Sequence, residues 1–339
     1  MKTRSRTLFA AIALAAVTTL GLSACAGEDA APAEGGSKGG TLNIDFATYN
    51  PLSLIIKDKG WLEEDLKSQG VSVNWIQSAG SNKANEGLRA GALDVGSTAG
   101  AAALLNRANG SQIKAITIAN KPEWAALIVG KDSTITSVAE LKGKKIAATK
   151  GTDPYFFLLQ SLAEAGLSPE DVTIENLQHA DGWSALQGGS VDAWAGLDPI
   201  MGGALENGAK FLYRNVDFSS YDVVAATESF IQKRPDIAQT VVNAYADARA
   251  WALKNPEETA TILAKTASLD DAVATSVITD RTNFDVDPVP GDAQAKVLRV
   301  IGPVFVETGD VAGQSQVDDA LKSLFEPSFA KAAKTTNRS

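Results

Sequence analysis

The apolar and polar positions of this chain alternate between strand-like and helix-like patterns over most of its length. Short runs that are mainly apolar, or that alternate between apolar and polar residues, predict strands. These runs lie at 41–46, 71–76, 92–95, 113–118, 125–129, 145–148, 172–177, 191–195 and 223–227. Helix-like stretches lie between them at 52–67, 83–90, 101–108, 154–164 and 182–186. This alternation is typical of an α/β protein with a mainly parallel sheet.

After residue 227 the pattern becomes entirely helical. Apolar residues recur at helical spacing, which predicts a helix with one buried face. They are Ile237, Val241, Tyr245, Ala248 and Ala252. The sequence Asn-Pro-Glu-Glu at 255–258 then ends this helix and begins another. Asn caps a helix, Pro suits its first position, and acidic side chains interact favourably with the positive end of the helix dipole.

The N-terminus has the organisation of a secretory signal peptide. Basic residues at positions 2, 4 and 6 precede an uncharged apolar stretch from Leu8 to Leu22. The following Leu-Ser-Ala-Cys resembles a bacterial lipobox, in which Cys25 becomes the lipid-bearing first residue of the mature protein. We therefore expect a lipoprotein signal peptide at 1–24 and a flexible tether at 25–40. An ordinary signal peptide with a Cys at this position, or a signal anchor, is the alternative.

Composition narrows the function further. A chain of 339 residues favours two lobes over a single core. The net charge of -9 opposes nucleic-acid binding, which needs a basic surface. One His and one Cys exclude a zinc site built from several such ligands, as well as a disulfide within the chain. The composition indicates no metal site and no cofactor.

Three strand ends run into small polar residues and then into a helix, at 77–82, 95–100 and 148–154. In an open parallel sheet, ligands bind at the carboxyl ends of strands. Free N–H groups at a helix start, together with the helix dipole, favour an anion. Each turn could also be a plain helix cap, but three on one sheet edge indicate a ligand cleft. The phosphate-loop and dinucleotide-binding glycine patterns are absent, which argues against nucleotide chemistry.

Four further residues have two interpretations each. Asp198 either caps the next helix or faces the cleft, and Trp194 is either core or a flat wall for a ligand. Arg281 either reaches an anion or is a surface charge. His179 is expected to be a loop residue rather than a catalyst, because no Gly-x-Ser-x-Gly elbow exists to use it.

Several segments together resemble one family. They are Tyr49-Asn50-Pro51-Leu52, residues 59–64 (Lys-Gly-Trp-Leu-Glu-Glu), 88–96, 141–147, 150–152, 162–172, 191–194 and 255–258. In this order and spacing they resemble the solute-binding proteins of ABC importers that serve alkanesulfonates, taurine and nitrate. The resemblance extends over most of residues 41–325.

The resemblance implies a type II periplasmic-binding-protein fold. Two α/β lobes, at 41–129 plus 226–325 and at 130–225, would be joined by two hinge strands near 129–130 and 225–227. A C-terminal tail would follow at 326–339. The ligand cleft between the lobes would be lined by Tyr49, Ser78, Gly80, Ser81, Thr98, Ala99, Gly151, Thr152, Asp153, Trp194, Asp198 and Arg281.

By the same resemblance, the protein would be an exported monomer. It would be lipid-anchored through Cys25 to the outer face of the cytoplasmic membrane, or on the periplasmic side. It would capture a small anionic or zwitterionic solute, with sulfonates and taurine-like compounds favoured. It would then deliver the solute to an ABC permease and its ATPase, without catalysis. Asp153 and Asp198 bring negative charge to the cleft, so Asp198 is expected to hold the amine of a zwitterion.

Two other functions share this fold. A ligand sensor for a membrane receptor would have the same soluble domain. An enzyme such as a thiamine-pyrimidine synthase is disfavoured, because those enzymes carry a Cys-rich motif and a central His that this chain lacks.

Overall fold

The computed structural model describes residues 39–336 and residue 338. The predicted signal peptide, Cys25 and the predicted tether up to residue 38 lie outside the described residues. Within the described range, no helix combines the length and the apolar character needed to cross a membrane. Residues 36–339 form one compact unit, and both lobes described below belong to it.

The first lobe contains a five-stranded mixed sheet in the order β2-β1-β3-β10-β4. Its strands are β1 (Gly40–Phe46), β2 (Val71–Gln77), β3 (Val95–Ala99), β4 (Ile113–Asn120) and β10 (Asp222–Thr227). β1 runs parallel to β2 and β3, whereas β10 runs antiparallel to β3 and β4. The carboxyl ends of β1 to β4 therefore lie at one edge, together with the start of β10.

Helices pack around this sheet. The N-terminal set is α1 (Pro51–Lys59), α2 (Trp61–Lys67), α3 (Ser81–Ala90) and α4 (Gly100–Ala108). The C-terminal set is α8 (Glu228–Lys233), α9 (Pro235–Lys254), α10 (Pro256–Ala267), α11 (Asp271–Arg281), α12 (Asp292–Glu307), α13 (Gln314–Leu324) and α14 (Ser328–Lys331). The predicted apolar stripe of α9 is confirmed, since all five of its residues are at most 2% exposed.

The second lobe repeats the architecture with the sheet order β7-β6-β8-β5-β9. Its strands are β5 (Ala125–Val129), β6 (Lys145–Ala148), β7 (Thr173–Asn176), β8 (Ala193–Leu197) and β9 (Lys210–Tyr213). Its helices are α5 (Asp153–Glu164), α6 (His179–Gln187) and α7 (Ile200–Glu206). Short 3-10 turns occupy Val138–Leu141, Pro169–Asp171 and Val216–Phe218.

The chain crosses between the sheets earlier than the sequence predicts. β5 pairs with β8 over its whole length, so the first crossing is 121–124 and not 129–130. β10 pairs with β3 and β4, so the second crossing is 214–221 and not 225–227. Both strands are buried apolar runs, and such runs do not reveal which sheet they join.

The C-terminal residues are packed onto the first lobe, in contrast to the predicted tail. Phe329 and Ala330 of α14 contact the apolar core around α9. The Arg338 guanidinium donates to the buried carboxylate of Asp247 at 3.0 Å and also pairs with Asp65. These contacts anchor residues 328–336 and Arg338 to α9 and α2.

Candidate ligand-binding site between the lobes

The carboxyl-terminal edges of the two sheets face each other, and the lobes are in contact there. A methyl group placed on the α-carbon of Gly80, just before α3, would lie 2.9 Å from His179 Nε2 at the start of α6. A methyl group on Gly151, just before α5, would lie 3.7 Å from Asn82 Cβ of α3. The N-terminus of α3 in the first lobe thus meets the N-termini of α5 and α6 in the second.

The first N–H groups of these three helices are unpaired. None of them donates a hydrogen bond to another group among the described residues. They belong to Ser81 and Asn82 of α3, to Thr152 and Asp153 at the start of α5, and to His179 and Ala180 of α6. A helix N-terminus carries a partial positive charge. Three of them meeting at the contact between the lobes make a site with positive potential and many donors.

The Ser81 hydroxyl adds a side-chain donor. Its oxygen accepts a hydrogen bond from the Ala99 N–H at 2.9 Å, and its own hydrogen has no acceptor among the described residues. Thr98 is fully buried beside it, with only a long contact of 3.4 Å from Oγ1 to the Ala99 carbonyl. The Ala99 N–H at the end of β3 is therefore used by Ser81 and is not free for a ligand.

On the second lobe, the turn before α5 is held from within. Gly151 has φ +76°, a left-handed conformation that disfavours a side chain. The Thr152 hydroxyl donates to the Thr149 carbonyl at 2.6 Å, so it is not free to bind a ligand. The contribution that Gly151 and Thr152 can make is their backbone N–H groups.

Asp153 does not present a free carboxylate to the cleft. Its Oδ2 accepts from Trp124 Nε1 at 2.9 Å and from the Ser220 N–H at 3.2 Å, and its Oδ1 accepts from the Ser220 hydroxyl. Trp124 lies in the first crossing and Ser220 in the second. Burial raises the pKa of Asp153, while these hydrogen bonds oppose that shift. Asp153 therefore links both hinge segments.

The expected roles of Asp198 and Arg281 need correction. The Arg281 guanidinium of α11 pairs with the Asp198 carboxylate, and the side chains of both are at least nine-tenths buried. Asp198 Oδ1 also accepts from the Gly202 N–H at 2.9 Å. Burial raises the Asp198 pKa, and the Arg281 charge opposes that shift. Both charges are used in an ion pair between the second lobe and α11, so neither is available for a ligand.

Trp194 lies in the core of the second lobe and does not form a wall of the cleft. Its side chain is fully buried and clusters with Leu186 and Met201. The centre of its ring lies 6.2 Å from that of Trp183. Gly182 of α6 packs directly against the Trp194 ring, and a methyl group on Gly182 would lie 2.7 Å from Trp194 Nε1. The sequence pattern permitted both positions, because a strand residue can face either side of a sheet.

Tyr49 and Ser78 form hydrogen bonds to buried polar groups of the first lobe. The Tyr49 hydroxyl donates to the Ser97 carbonyl at 3.0 Å, and its ring meets Trp124 edge-on at 5.8 Å. Ser78 and Ser97 hydrogen-bond to Asp45, which lowers the pKa of Asp45, but burial outweighs them and raises it to about 7. Asp45 therefore brings at most a partial negative charge at neutral pH.

His179 is the residue that sequence reasoning missed. It begins α6 instead of lying in a loop, it is 1% exposed, and it faces Gly80 across the cleft. Its ring Nδ1 lies 3.2 Å from Thr149 Oγ1, and burial lowers its pKa to about 4. Its position after a strand, on the edge that carries the other candidate residues, was the signal available in the sequence. Among the described residues, no cluster of three His, Cys, Asp or Glu side chains could hold a metal ion.

Comparison with known proteins finds one matching family and relatives whose names agree with one another. The model of the NMT1/THI5 like family matches residues 53–259. A putative aliphatic sulfonates-binding protein of Bacillus subtilis (strain 168) is 31% identical over 282 residues, which cover 82% of this chain and 84% of the relative. One of the same name from Escherichia coli (strain K12) is 30% identical over 226 residues, covering 66% and 71%.

A solved structure supports the same assignment. The crystal structure of the periplasmic aliphatic sulphonate binding protein SsuA from Escherichia coli superimposes with a TM-score of 0.71 at 26% identity. The match covers 85% of this chain and 92% of SsuA. The family expectation drawn from the sequence is confirmed, as is the two-lobed periplasmic-binding-protein fold. The chain belongs to the NMT1/THI5-like family.

Proposed function

We propose that this protein is the exported solute-binding component of an ABC importer and that it captures a small organic sulfonate between its lobes. The observation that carries this proposal is the meeting of three helix N-termini, those of α3, α5 and α6, at the contact between the lobes. A ligand bound there would hold the two lobes together by hinge closure.

The chemistry of the site favours an anion with several acceptor oxygens. Unpaired N–H groups and the helix dipoles stabilise negative charge. A sulfonate has three equivalent oxygens, so it can accept from all three helix starts and from the Ser81 hydroxyl at once. The names of the curated relatives, aliphatic sulfonates-binding proteins, support the same class of ligand.

A zwitterion held through its amine is less well supported than the sequence alone indicated. Asp198 is paired with Arg281, and Asp153 is engaged by Trp124 and Ser220. An ammonium group would therefore find neither of these carboxylates free. The proposal accordingly favours sulfonates without a required cationic group.

We also propose where the protein is held and which proteins receive its ligand. Lipid attachment at Cys25 would tether the folded unit at the membrane through residues 25–40, and the protein would act as a monomer. A membrane permease and its ATPase would receive the solute. We propose binding without catalysis: His179, with its pKa lowered to about 4, is poorly matched to general base catalysis near neutral pH.

Isothermal titration calorimetry on residues 36–339 tests the proposal. The three clusters of buried apolar residues lie within this unit, so it contains what the fold requires. The protein is first refolded from denaturant to remove any carried ligand. We expect one-to-one binding of short alkanesulfonates and weaker binding of the matched carboxylates. Binding of alkylammonium ions in preference to sulfonates would contradict the proposal.

A further inference from the structure

His179 has one ring nitrogen that is fully engaged and one that is free. The side chain is 1% exposed, and Nδ1 lies 3.2 Å from Thr149 Oγ1. Nε2 is buried and has no hydrogen-bond partner in the part of the chain that the structure describes. A buried polar atom left without a partner costs free energy, so it indicates a group that a ligand or water satisfies.

Thr149 determines which nitrogen carries the hydrogen. Thr149 Oγ1 lies 2.6 Å from the Leu177 carbonyl, which can only accept, so the single hydroxyl hydrogen is directed there. Thr149 Oγ1 must then accept from His179, which places the ring hydrogen on Nδ1. Because burial keeps the His179 pKa near 4, the ring is neutral near pH 7. Nε2 therefore carries a lone pair and acts as a hydrogen-bond acceptor.

This acceptor faces the proposed anion site. A methyl group on Gly80 would lie 2.9 Å from His179 Nε2 and equally close to Asn82 Oδ1, which is a second buried acceptor without a partner. The two acceptors thus lie beside the unpaired N–H groups at the start of α3. Donors for an anion and acceptors for a donor group are present at one contact between the lobes.

We propose that His179 is a specificity-determining residue that selects sulfonates bearing an uncharged hydrogen-bond donor, such as a hydroxyl, close to the sulfonate group. The inference rests on the proposed function, because the helix N-termini must hold the anionic end. A hydroxyl suits the site better than an ammonium group, since Asp153 and Asp198 are already paired. Because Nε2 is already buried and unpaired without a ligand, a hydrogen bond from the ligand's donor should tighten binding by about tenfold.

Ethanesulfonate and 2-hydroxyethanesulfonate differ only by one hydroxyl group and form the test pair. Calorimetry on residues 36–339 near neutral pH should give about tenfold tighter binding of the hydroxylated compound. His179→Phe should abolish this preference, so that the variant binds the two sulfonates with equal affinity. His179→Gln, which keeps an acceptor oxygen, should restore part of it. Thr149→Val should reduce the preference by releasing the Nδ1 hydrogen, without removing the ring.

The outcomes separate this inference from the function on which it rests. Equal affinity of the wild type for both sulfonates, or a preference that survives in His179→Phe, overturns the role of His179 while sulfonate binding stands. Tighter binding of 2-aminoethanesulfonate than of 2-hydroxyethanesulfonate overturns the choice of an uncharged donor. Failure of every sulfonate to bind overturns both proposals. If His179→Phe does not fold, the comparison of the two sulfonates on the wild type and on Thr149→Val still tests the role of His179.

Discussion

The buried carboxyl group of Asp45 makes the stability of this protein depend on pH. Burial raises its pKa from 3.8 to about 7, although hydrogen bonds from Ser78 and Ser97 favour the ionised form. Between these two pH values the folded state keeps a proton that the unfolded chain has lost. The free energy of unfolding therefore falls as pH rises from about 4 to about 7, through this group.

The size of the effect follows from the two pKa values. A shift from 3.8 to about 7 corresponds to about 4 kcal/mol, taking about 1.4 kcal/mol for each pH unit. His179 acts in the opposite direction, because its pKa is lowered from 6.5 to about 4. Its contribution is present above pH 6.5 and is lost as pH falls toward 4. The two effects largely cancel in the wild type, so a variant is needed to separate them.

Asp45→Asn removes the titration and keeps an oxygen that can accept from the Ser97 N–H, at present 2.8 Å from Asp45 Oδ1. Relative to wild type, the variant should be about equally stable near pH 4. It should be more stable by up to about 4 kcal/mol at pH 8. Chemical denaturation of residues 36–339 at several pH values measures the difference.

Asp58→Asn supplies the control. Asp58 is an exposed residue of α1 that pairs with Lys265 at 3.3 Å. Its replacement should change stability by less than about 1 kcal/mol at every pH. A difference between Asp45→Asn and wild type that does not grow with pH would refute the assignment of a buried, proton-retaining Asp45.

Three further changes test the hinge and the cleft. In Gly100→Ala the added methyl would overlap the Ser220 carbonyl oxygen, so the free energy of unfolding should fall by about 1–3 kcal/mol and the melting temperature should drop. An unchanged melting temperature would contradict the contact between α4 and the second crossing. Gly80→Ala needs no unusual backbone angle, but its methyl would lie 2.9 Å from His179 Nε2 and from Asn82 Oδ1. Sulfonate affinity should therefore fall, because the methyl opposes closure onto His179, and undiminished affinity would argue against that closure. Arg281→Met should destabilise the fold by about 3–5 kcal/mol, because it leaves Asp198 buried and unpaired. Adding Asp198→Asn should recover much of this stability. Equal losses in the single and double variants would show that the ion pair does not stabilise the fold.

The element order was readable from the sequence, because it depends on local pattern. Predicted strands at 125–129 and 145–148 coincide with β5 and β6, and most others agree within two residues. The prediction at 92–95 was wrong, since β3 begins at Val95. β9 was missed, as it is short and lacks a distinctive period.

The site was only partly readable, because its chemistry depends on long-range partners. The turns at Gly80 and Gly151 were found from their small residues and strand-end positions, and their role in binding stays a prediction. The pairing of Asp198 with Arg281 joins residues 83 positions apart and has no local signal. The free Nε2 of His179 depends on burial and on Thr149, neither of which the sequence displays.

A crystal structure of residues 36–339 with ethanesulfonate would locate the bound anion. We expect the sulfonate between the lobes, with its oxygens within about 3 Å of N–H groups at the starts of α3, α5 and α6. The Ser81 hydroxyl should also donate to it. A sulfonate bound elsewhere, for example in the groove between Tyr155 of α5 and Val304 of α12, would contradict the account.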